Sequence, residues 1–212
     1  MERSWFKQVG YRIVQLFTRI FATTGFRARC WGRENFPREG GALVCANHQS
    51  FLDPMVIGNS SSRPMNYLAR KSLFAFGPLG WLLDFVNTIP VEREGFGVGG
   101  VRETLRRLKR GEMVLLFPEG TRSEDGHVQP FKPGFSAIAR RSRVALVPVG
   151  VDGAYDAWPR SARFPRFSQV RVVVGEPLSA ELVASLDDQQ LLDELSQRIM
   201  QCIAEARSLH DD

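Results

Sequence analysis

The chain has 212 residues, which favours one domain, and 43% of them are hydrophobic, as in proteins with a globular core. The net charge of +5 favours anionic partners such as a membrane surface, a phosphate-bearing substrate or an acidic carrier protein. Nucleic acid is disfavoured as a partner because zinc-finger spacing and RNA-binding aromatic motifs are lacking, and the three scattered cysteines suit neither a metal site nor a disulfide framework.

Residues 1–30 predict an amphipathic helical segment that associates with a membrane. Apolar side chains recur at helical spacing and are interrupted by Lys7, Arg12 and Arg19. The apolar set is Trp5, Phe6, Val9, Ile13, Leu16, Phe17, Ile20 and Phe21. Such basic-aromatic helices are typical of a membrane interface, although a helix packed on the domain would share the periodicity. No signal peptide and no run long enough to span a membrane is recognisable, so we expect a peripheral or monotopic segment before a domain over 31–212.

A polar stretch over 46–54 follows the first predicted core strand, an apolar run over 42–46. Pro54 favours a turn that opens a helix, and such a turn brings the Asp53 carboxylate back to the His48 imidazole. A carboxylate bonded to one ring nitrogen fixes the tautomer and leaves the other nitrogen free to take a proton. The alternative is that Asp53 is a helix N-cap and His48 an ordinary turn residue.

The middle of the chain predicts a strand over 65–69 and another over 87–91. Between them lie two apolar segments, over 73–76 and 79–86. These segments either line a path for an acyl chain or form a packed helical pair.

The glycines over 95–100 match the dinucleotide-binding pattern G-x-G-x-x-G, with Glu119 at a tolerable distance. That fingerprint requires the tight turn directly at the strand end, whereas charged residues over 92–94 intervene here. We therefore expect a loop that enters a helix over 101–110, whose basic residues form a solvated surface.

A second buried strand is predicted over 114–117 and is followed closely by Glu119, Gly120, Thr121 and Arg122. Backbone N–H groups beside a glycine, a hydroxyl and a guanidinium together suit a phosphate. The alternative is a polar turn that carries a surface arginine.

The remainder predicts a helix ending at Arg141, strands over 144–149 and 169–174, and a closing amphipathic helix over 187–207. Strands that alternate with helices predict an α/β fold: a single domain with a mixed, mostly parallel central sheet flanked by helices. Cys45, His127 and His210 are interpreted as bystanders, since Cys45 lies within a strand and the two histidines lie in a loop and in the tail.

Four blocks in this order resemble the lysophosphatidic acid acyltransferase family of glycerolipid acyltransferases. They are His48 with Asp53, the short run Pro90–Arg93, the run Phe117–Arg122, and the run Val147–Val149. The resemblance covers residues 30 to 150, and the histidine–aspartate and Glu-Gly-Thr-Arg blocks are specific when they occur together.

The resemblance implies transfer of a fatty acyl group from acyl carrier protein or coenzyme A to the sn-2 hydroxyl of 1-acylglycerol-3-phosphate, at the cytoplasmic face of the membrane. His48 would be the general base, and Asp53 would orient it. The implied phosphate-binding residues are Lys71, Arg93, Glu119, Gly120, Thr121 and Arg122. No metal or cofactor is required beyond the acyl donor.

Three alternatives remain open at this stage. The same chemistry could serve another lysophospholipid or a lyso-aminolipid. The chain could instead be a membrane-binding domain without activity, or, least favoured, a dinucleotide-binding protein. A nucleophile elbow is lacking, because the run Gly134–Ile138 does not end in glycine, and this argues against an acyl-enzyme.

Overall fold

A computed structural model describes residues 5–86, 88–92, 97–132 and 134–209, without the side chains of residues 5–8. The strands of this part of the chain are β1 (Arg29–Trp31), β2 (Ala42–Ala46), β3 (Met65–Asn66), β4 (Leu68–Arg70), β5 (Ile89–Val91), β6 (Met113–Leu116), β7 (Ala145–Asp152) and β8 (Arg171–Val174). The helices are α1 (Trp5–Phe26), α2 (Asp53–Ser60), α3 (Gly77–Phe85), α4 (Val98–Lys109), α5 (Gly134–Ser142), α6 (Ala154–Ala157), α7 (Ala180–Ser185) and α8 (Asp188–Ser208).

The central sheet has the order β1-β8-β7-β2-β6-β3 within the described residues. Every neighbouring pair is parallel except β7 and β8, which are antiparallel. The predicted α/β fold with a mostly parallel sheet is therefore confirmed. β2 lies between β7 and β6, and all five of its residues are buried, as expected for a strand covered on both faces.

The two faces of the sheet carry different helices. Val44 of β2 belongs to a core cluster with side chains of α1, α2 and α6. Leu43 and Cys45 point to the other face, where they share a cluster with α4, α5, α7 and α8. The alternation along β2 follows from the two-residue period of a strand, so one short apolar run supplies both cores.

Helix α1 packs on α2 through one face and leaves an apolar face exposed. Tyr11, Ala22 and Phe26 are buried. The Gln15 side chain donates hydrogen bonds to the carbonyl oxygens of Gly58 and Ser61. The exposed apolar residues of α1 are Val9, Ile13, Leu16, Phe17, Ile20 and Phe21. The predicted helix is thus present: one face packs on the domain and the other is open, and its association with a membrane stays a prediction.

No helix in the described part of the chain is long and apolar enough to cross a bilayer. The predicted division of the chain after residue 30 stays a prediction, and β1 spans that position. Trp5 and Phe6 lie among the side chains that are not described.

The segment predicted as one strand over 65–69 divides between two sheets. β3 joins the main sheet, whereas β4 pairs with β5 in a separate two-stranded sheet. The buried side chain of Asn66 marks the end of the first part, because its amide donates to the Met113 carbonyl oxygen and its Oδ1 accepts from Arg107. Arg107 is thereby buried, so the basic surface predicted for α4 is wrong at this position.

The two apolar segments that follow β4 form a 3₁₀ helix over Lys71–Ala75 and helix α3, and they pack against each other. The predicted helical pair is therefore present, but its outer face is open: Phe76, Leu79 and Trp81 are exposed. The Phe85 ring at the end of α3 occupies the space beside Gly10 of α1, so α3 and α1 adjoin.

Candidate active site

Two loops meet at one edge of the sheet. The histidine loop (residues 47–53) follows β2, and the arginine loop (residues 117–123) follows β6. β2 and β6 are parallel neighbours, and Cys45 pairs with Leu116 in their register. Loops at the carboxyl ends of neighbouring parallel strands lie side by side, which is where α/β proteins usually bind ligands.

Asp53 holds the histidine loop around one carboxylate oxygen. Its Oδ2 lies 2.8 Å from His48 Nδ1 and accepts backbone N–H bonds from Gln49 at 2.6 Å and Ser50 at 2.7 Å. The carboxylate is fully buried. Helix α2 begins at Asp53 itself and its N-cap position is Leu52, so the N-cap alternative for Asp53 is wrong.

Contacts on both the face and the edge of the His48 ring hold its orientation. It stacks on Phe117 of the arginine loop with 3.8 Å between ring centroids and 11° between planes. The His48 side chain is 19% exposed to solvent. With Nδ1 donating to Asp53, Nε2 carries the lone pair, which is the arrangement that a general base requires.

Glu119 joins the two loops. Its Oε1 accepts the backbone N–H of His48 at 2.9 Å, and its Oε2 accepts that of Gln129 at 3.0 Å. The backbone N–H of Ser123 donates in return to the His48 carbonyl oxygen at 2.7 Å. Because both oxygens of Glu119 already hold backbone, we assign it to positioning the loops rather than to the predicted phosphate contact.

Burial raises the pKa of Glu119 to about 7, and the neighbouring carboxylate of Asp53 adds to the rise. The two backbone N–H bonds from His48 and Gln129 act in the opposite direction, because they stabilise the charged form. Glu119 is therefore an acid whose charge state changes near neutral pH while its oxygens support the histidine loop.

Arg122 lies across an aromatic ring at the mouth of the site. Its guanidinium carbon is 3.5 Å from the centroid of the Phe51 ring. The Nη1 atom is buried and has no hydrogen-bond partner within the described residues. Burial lowers the pKa of Arg122, followed by repulsion from Arg160 and, more weakly, from Arg70. An anion bound here would supply the missing hydrogen bonds and relieve that repulsion.

Arg70 and Arg160 were missed by sequence reasoning. Arg70 ends β4, one position before the lysine that the family resemblance favoured, and Arg160 lies in a loop between β7 and β8. Lys71 itself has a largely exposed side chain, 3.5 Å from Glu92, and no described hydrogen bond or ion pair joins it to either loop. Arg93, the remaining predicted phosphate ligand, lies outside the described residues.

Gly120 makes the turn of the arginine loop. Its φ of +68° is in the left-handed region, and its N–H donates to the Phe117 carbonyl oxygen. A Cβ atom at this position would lie 3.0 Å from Cγ of Lys132. Gly120 therefore sets the path of Thr121 and Arg122, whatever contact its own backbone makes with a substrate.

Two further side chains anchor the histidine loop and were also missed. Asn47 exchanges hydrogen bonds with both backbone groups of Val151 on β7, at 2.8 and 2.9 Å. Ser50 Oγ donates to the Trp158 carbonyl oxygen at 2.7 Å. Polar residues directly after a buried strand were the available signal, but their partners lie about a hundred positions away in sequence.

Two of the residues predicted to be bystanders, Cys45 and His127, take no part in the contacts described above. Cys45 is fully buried, and burial raises the pKa of its thiol, so it is the small core residue that was predicted. His127 is exposed on the surface of its loop. His210 lies outside the described residues.

Comparison with known proteins gives consistent matches. The family model described as Acyltransferase matches residues 27–152. The 1-acyl-sn-glycerol-3-phosphate acyltransferase of Bacillus subtilis is 28% identical over 86% of this chain and 89% of its own length. The protein of that name from Pseudomonas aeruginosa is 28% identical over 77% of this chain and 63% of its own length.

One solved structure extends the likeness to the fold. The crystal structure of the 1-acyl-sn-glycerophosphate acyltransferase PlsC from Thermotoga maritima aligns with a TM-score of 0.84. The alignment covers 95% of this chain and 81% of that one, at 24% identity. At this identity the match supports the arrangement of strands and helices described above.

Proposed function

We propose a reaction for this chain from the premise that it belongs to the acyltransferase family. In this reaction a fatty acyl group passes from a thioester to the sn-2 hydroxyl of 1-acylglycerol-3-phosphate, and the product is phosphatidic acid. Relatives from two bacteria are named for this acceptor. The donor is acyl carrier protein or coenzyme A, whose thioesters offer the same reactive carbonyl.

The observation that carries the proposal is the 2.8 Å contact between His48 Nδ1 and Asp53. In the proposed step, Nε2 takes the hydroxyl proton as the acceptor oxygen attacks the thioester carbonyl. The imidazolium that forms is stabilised by the adjacent carboxylate. The tetrahedral intermediate then collapses, the C–S bond breaks, and the thiolate leaves with the proton that the imidazolium returns. Both substrates meet at one base, so no acyl-enzyme is required.

The cation at the site mouth supports a phosphate-bearing acceptor. Arg122 is held in place by Phe51 and has an unsatisfied N–H group, so it can grip a phosphate oxygen without first being released from another partner. Arg70 and Arg160 add positive charge around it. Gly120, Thr121, Lys71 and Arg93 stay proposed contacts from the family resemblance. Holding the phosphate positions the hydroxyl, and positioning of this kind lowers the barrier.

The test is a thioester-release assay with a panel of acceptors. Acyl-coenzyme A and acyl carrier protein serve as donors in parallel, and the acceptors are 1-acylglycerol-3-phosphate, the same lipid without phosphate, a lysophosphatidylcholine and a lyso-aminolipid. We expect the highest kcat/KM with 1-acylglycerol-3-phosphate. A higher value with another lysolipid would reassign the acceptor, and no release with any acceptor would favour a binding domain without activity.

We also place the protein on the cytoplasmic face of a membrane, with anionic lipid as the surface. The exposed apolar face of α1 supports this placement, because a helix of that kind lies in the headgroup region with its apolar side chains in the acyl layer. The three cysteines are free, as suits a reducing compartment.

Deleting α1 would uncover the core contacts of Ala22 and Phe26, so substitution is the better test of this placement. Changing Phe17 and Ile20, both exposed, to serine should weaken sedimentation with anionic vesicles while leaving the fold intact. Sedimentation equal to that of the original protein would contradict the placement.

A further inference from the structure

A basic cleft lies beside α1, away from the two catalytic loops. Two adjoining cavities of about 330 and 460 Å³ form it, and both are lined by Arg19 and Arg33 together with Asn59 and Ser60. The walls are α1, α2 from Val56 to the residues just after it, the chain around β1, and Val172 of β8. We call it the arginine cleft.

The cleft collects positive charge without compensation. Arg12 lines one cavity, Arg29 lines the other, and Arg19 and Arg33 line both, whereas no carboxylate is among the lining residues. No described ion pair joins any of these four arginines to an acidic side chain. Glu34 follows Arg33 in the chain but does not line the cleft. Three of these arginines line each cavity with no acidic partner among the described ion pairs, and such a cluster of guanidinium groups suits a phosphate-sized anion.

Neutral hydrogen-bonding groups complete the wall. Ser61 and Ser62 line the cavity near Arg12, and their hydroxyl groups can donate to a phosphate oxygen. Asn59 bonds Thr18 through its Oδ1, while its Nδ2 has no hydrogen-bond partner within the described residues. The donors thus outnumber the acceptors in this cleft, as suits an anionic ligand.

The cleft lies at the border of the exposed apolar face of α1. Arg12 and Arg19 are seven residues apart and therefore share one side of the helix. Leu16 lies between them, lines the same cavity and is 58% exposed. When α1 lies in a bilayer interface, the apolar face meets the acyl chains and the arginines at its border reach the headgroups.

No residue of the histidine loop or the arginine loop lines the arginine cleft. Asp53 begins α2, whereas Asn59 and Ser60 end it. At 1.5 Å per residue, these two polar cleft residues lie about 10 Å along α2 from Asp53.

We propose that the arginine cleft binds the phosphate headgroup of an anionic phospholipid, as a second lipid site distinct from the catalytic one. The proposal goes beyond the acyl-transfer function and rests on α1 lying on a bilayer. A lipid held in the cleft fixes the rotation of α1 on the membrane and thereby the direction in which the catalytic mouth opens.

The test compares two double variants that lower the net charge equally. Arg19→Gln with Arg33→Gln removes the two arginines shared by both cavities. Arg102→Gln with Arg110→Gln is the matched control, because both residues are exposed, Arg102 on α4 and Arg110 directly after it, on the opposite face of the sheet. Binding is measured by sedimentation with phosphatidylcholine vesicles that contain 20% phosphatidylglycerol, and with vesicles of phosphatidylcholine alone.

We expect the cleft variant to lose affinity for anionic vesicles by about 5-fold per arginine, or about 25-fold in total. The fold-loss of affinity in the control variant should be less than a third of that in the cleft variant. Binding to neutral vesicles should be equal in the original protein and the two variants. Equal losses in the two variants would show only a diffuse electrostatic attraction and would overturn the proposal.

Soluble anions distinguish a lipid headgroup from a free phosphate. Calorimetric titration with inorganic phosphate and with glycerol 3-phosphate should give dissociation constants weaker than about 1 mM, because the membrane supplies the remaining affinity. Micromolar binding of either anion, lost in the cleft variant, would assign the cleft to a soluble ligand and overturn the lipid assignment.

Failure of this proposal is separable from failure of the catalytic one. In detergent micelles the cleft variant should keep the thioester-release rate of the original protein, since neither arginine touches the catalytic loops. A large fall of that rate would place the cleft in the catalytic machinery and contradict a separate site.

Discussion

The histidine loop and the arginine loop follow neighbouring strands at one edge of the sheet, yet they differ in which polar group is held by hydrogen bonds and which is left unpaired. In the histidine loop the carboxylate of Asp53 accepts three hydrogen bonds, one of them from His48 Nδ1, which leaves Nε2 of that ring as the proposed base. In the arginine loop the carboxylate of Glu119 holds backbone, and the Arg122 cation stays unpaired on an aromatic ring. In each loop a buried acid serves as scaffold so that a different group can face the ligand.

The largest expected effect comes from removing the base. His48→Ala should lower kcat by about 10²–10⁴-fold, since that is the usual contribution of a positioned general base. The loss should occur with an unchanged circular dichroism spectrum, because only a partly exposed ring is removed. His127→Ala is the matched control and should keep full activity. A folded His48→Ala protein with near-normal turnover would remove the catalytic distinction between the loops.

Asp53→Asn should lower kcat by about 10²-fold or more. The amide oxygen can still accept the three hydrogen bonds that Asp53 Oδ2 now accepts, and the amide nitrogen takes the place of Oδ1, which has no described partner. The neutral side chain no longer stabilises the imidazolium, so the loss should appear in kcat rather than in KM. Asp84→Asn, on the exposed surface of α3, is the control. A loss confined to KM would contradict this role.

Arg122→Lys should lower kcat/KM for 1-acylglycerol-3-phosphate by about 10-fold, because lysine keeps the charge but loses the paired geometry of the guanidinium. Arg122→Ala should lose more. Both variants should discriminate less between this lipid and the same lipid without phosphate. An unchanged ratio of the two kcat/KM values would mean that Arg122 does not recognise the phosphate. Arg110→Lys, at the exposed position directly after α4, should change neither value.

The smallest effect concerns stability and its dependence on pH. Glu119 has a pKa raised to about 7 in the folded protein, so the folded state holds a proton that the unfolded state has released. The free energy of unfolding should therefore fall as pH rises from about 4.5 to about 7, by at most about 1.4 kcal/mol per pH unit from this group. Glu119→Gln should flatten this part of the profile in urea titrations. Identical slopes in the two proteins would contradict the shifted pKa.

The contacts that the sequence predicted are the local ones. His48 and Asp53 are five positions apart within one turn, so their pairing could be inferred from residue types and from Pro54. The burial of all five residues of β2 followed from a five-residue apolar run. The closing helix α8 was similarly accessible, since its apolar stripe repeats from Leu191 to Ala206 and its N-terminus carries a capping box.

The rest depended on tertiary packing. Nothing near Phe51 in the sequence indicates that Arg122 lies on its ring, and nothing near Glu119 indicates that its carboxylate holds the backbone of His48. Strand β1 has three residues and is defined by its pairing with β8, so it carries too little periodicity to be recognised. Arg70 and Arg160 reach the site from separate segments, so no motif contains both.

The backbone bonds between the loops also bear on how the chain acquires activity. Glu119 reaches His48 across 71 positions of sequence, and Ser123 returns a bond to the same residue. The His48 ring, the proposed general base, therefore cannot take the orientation described above until β2 and β6 have paired, which is a non-local event that is slow in folding. In a refolding experiment, the recovery of enzymatic turnover would report the pairing of β2 with β6. The helical circular dichroism signal depends mainly on local contacts and would recover earlier.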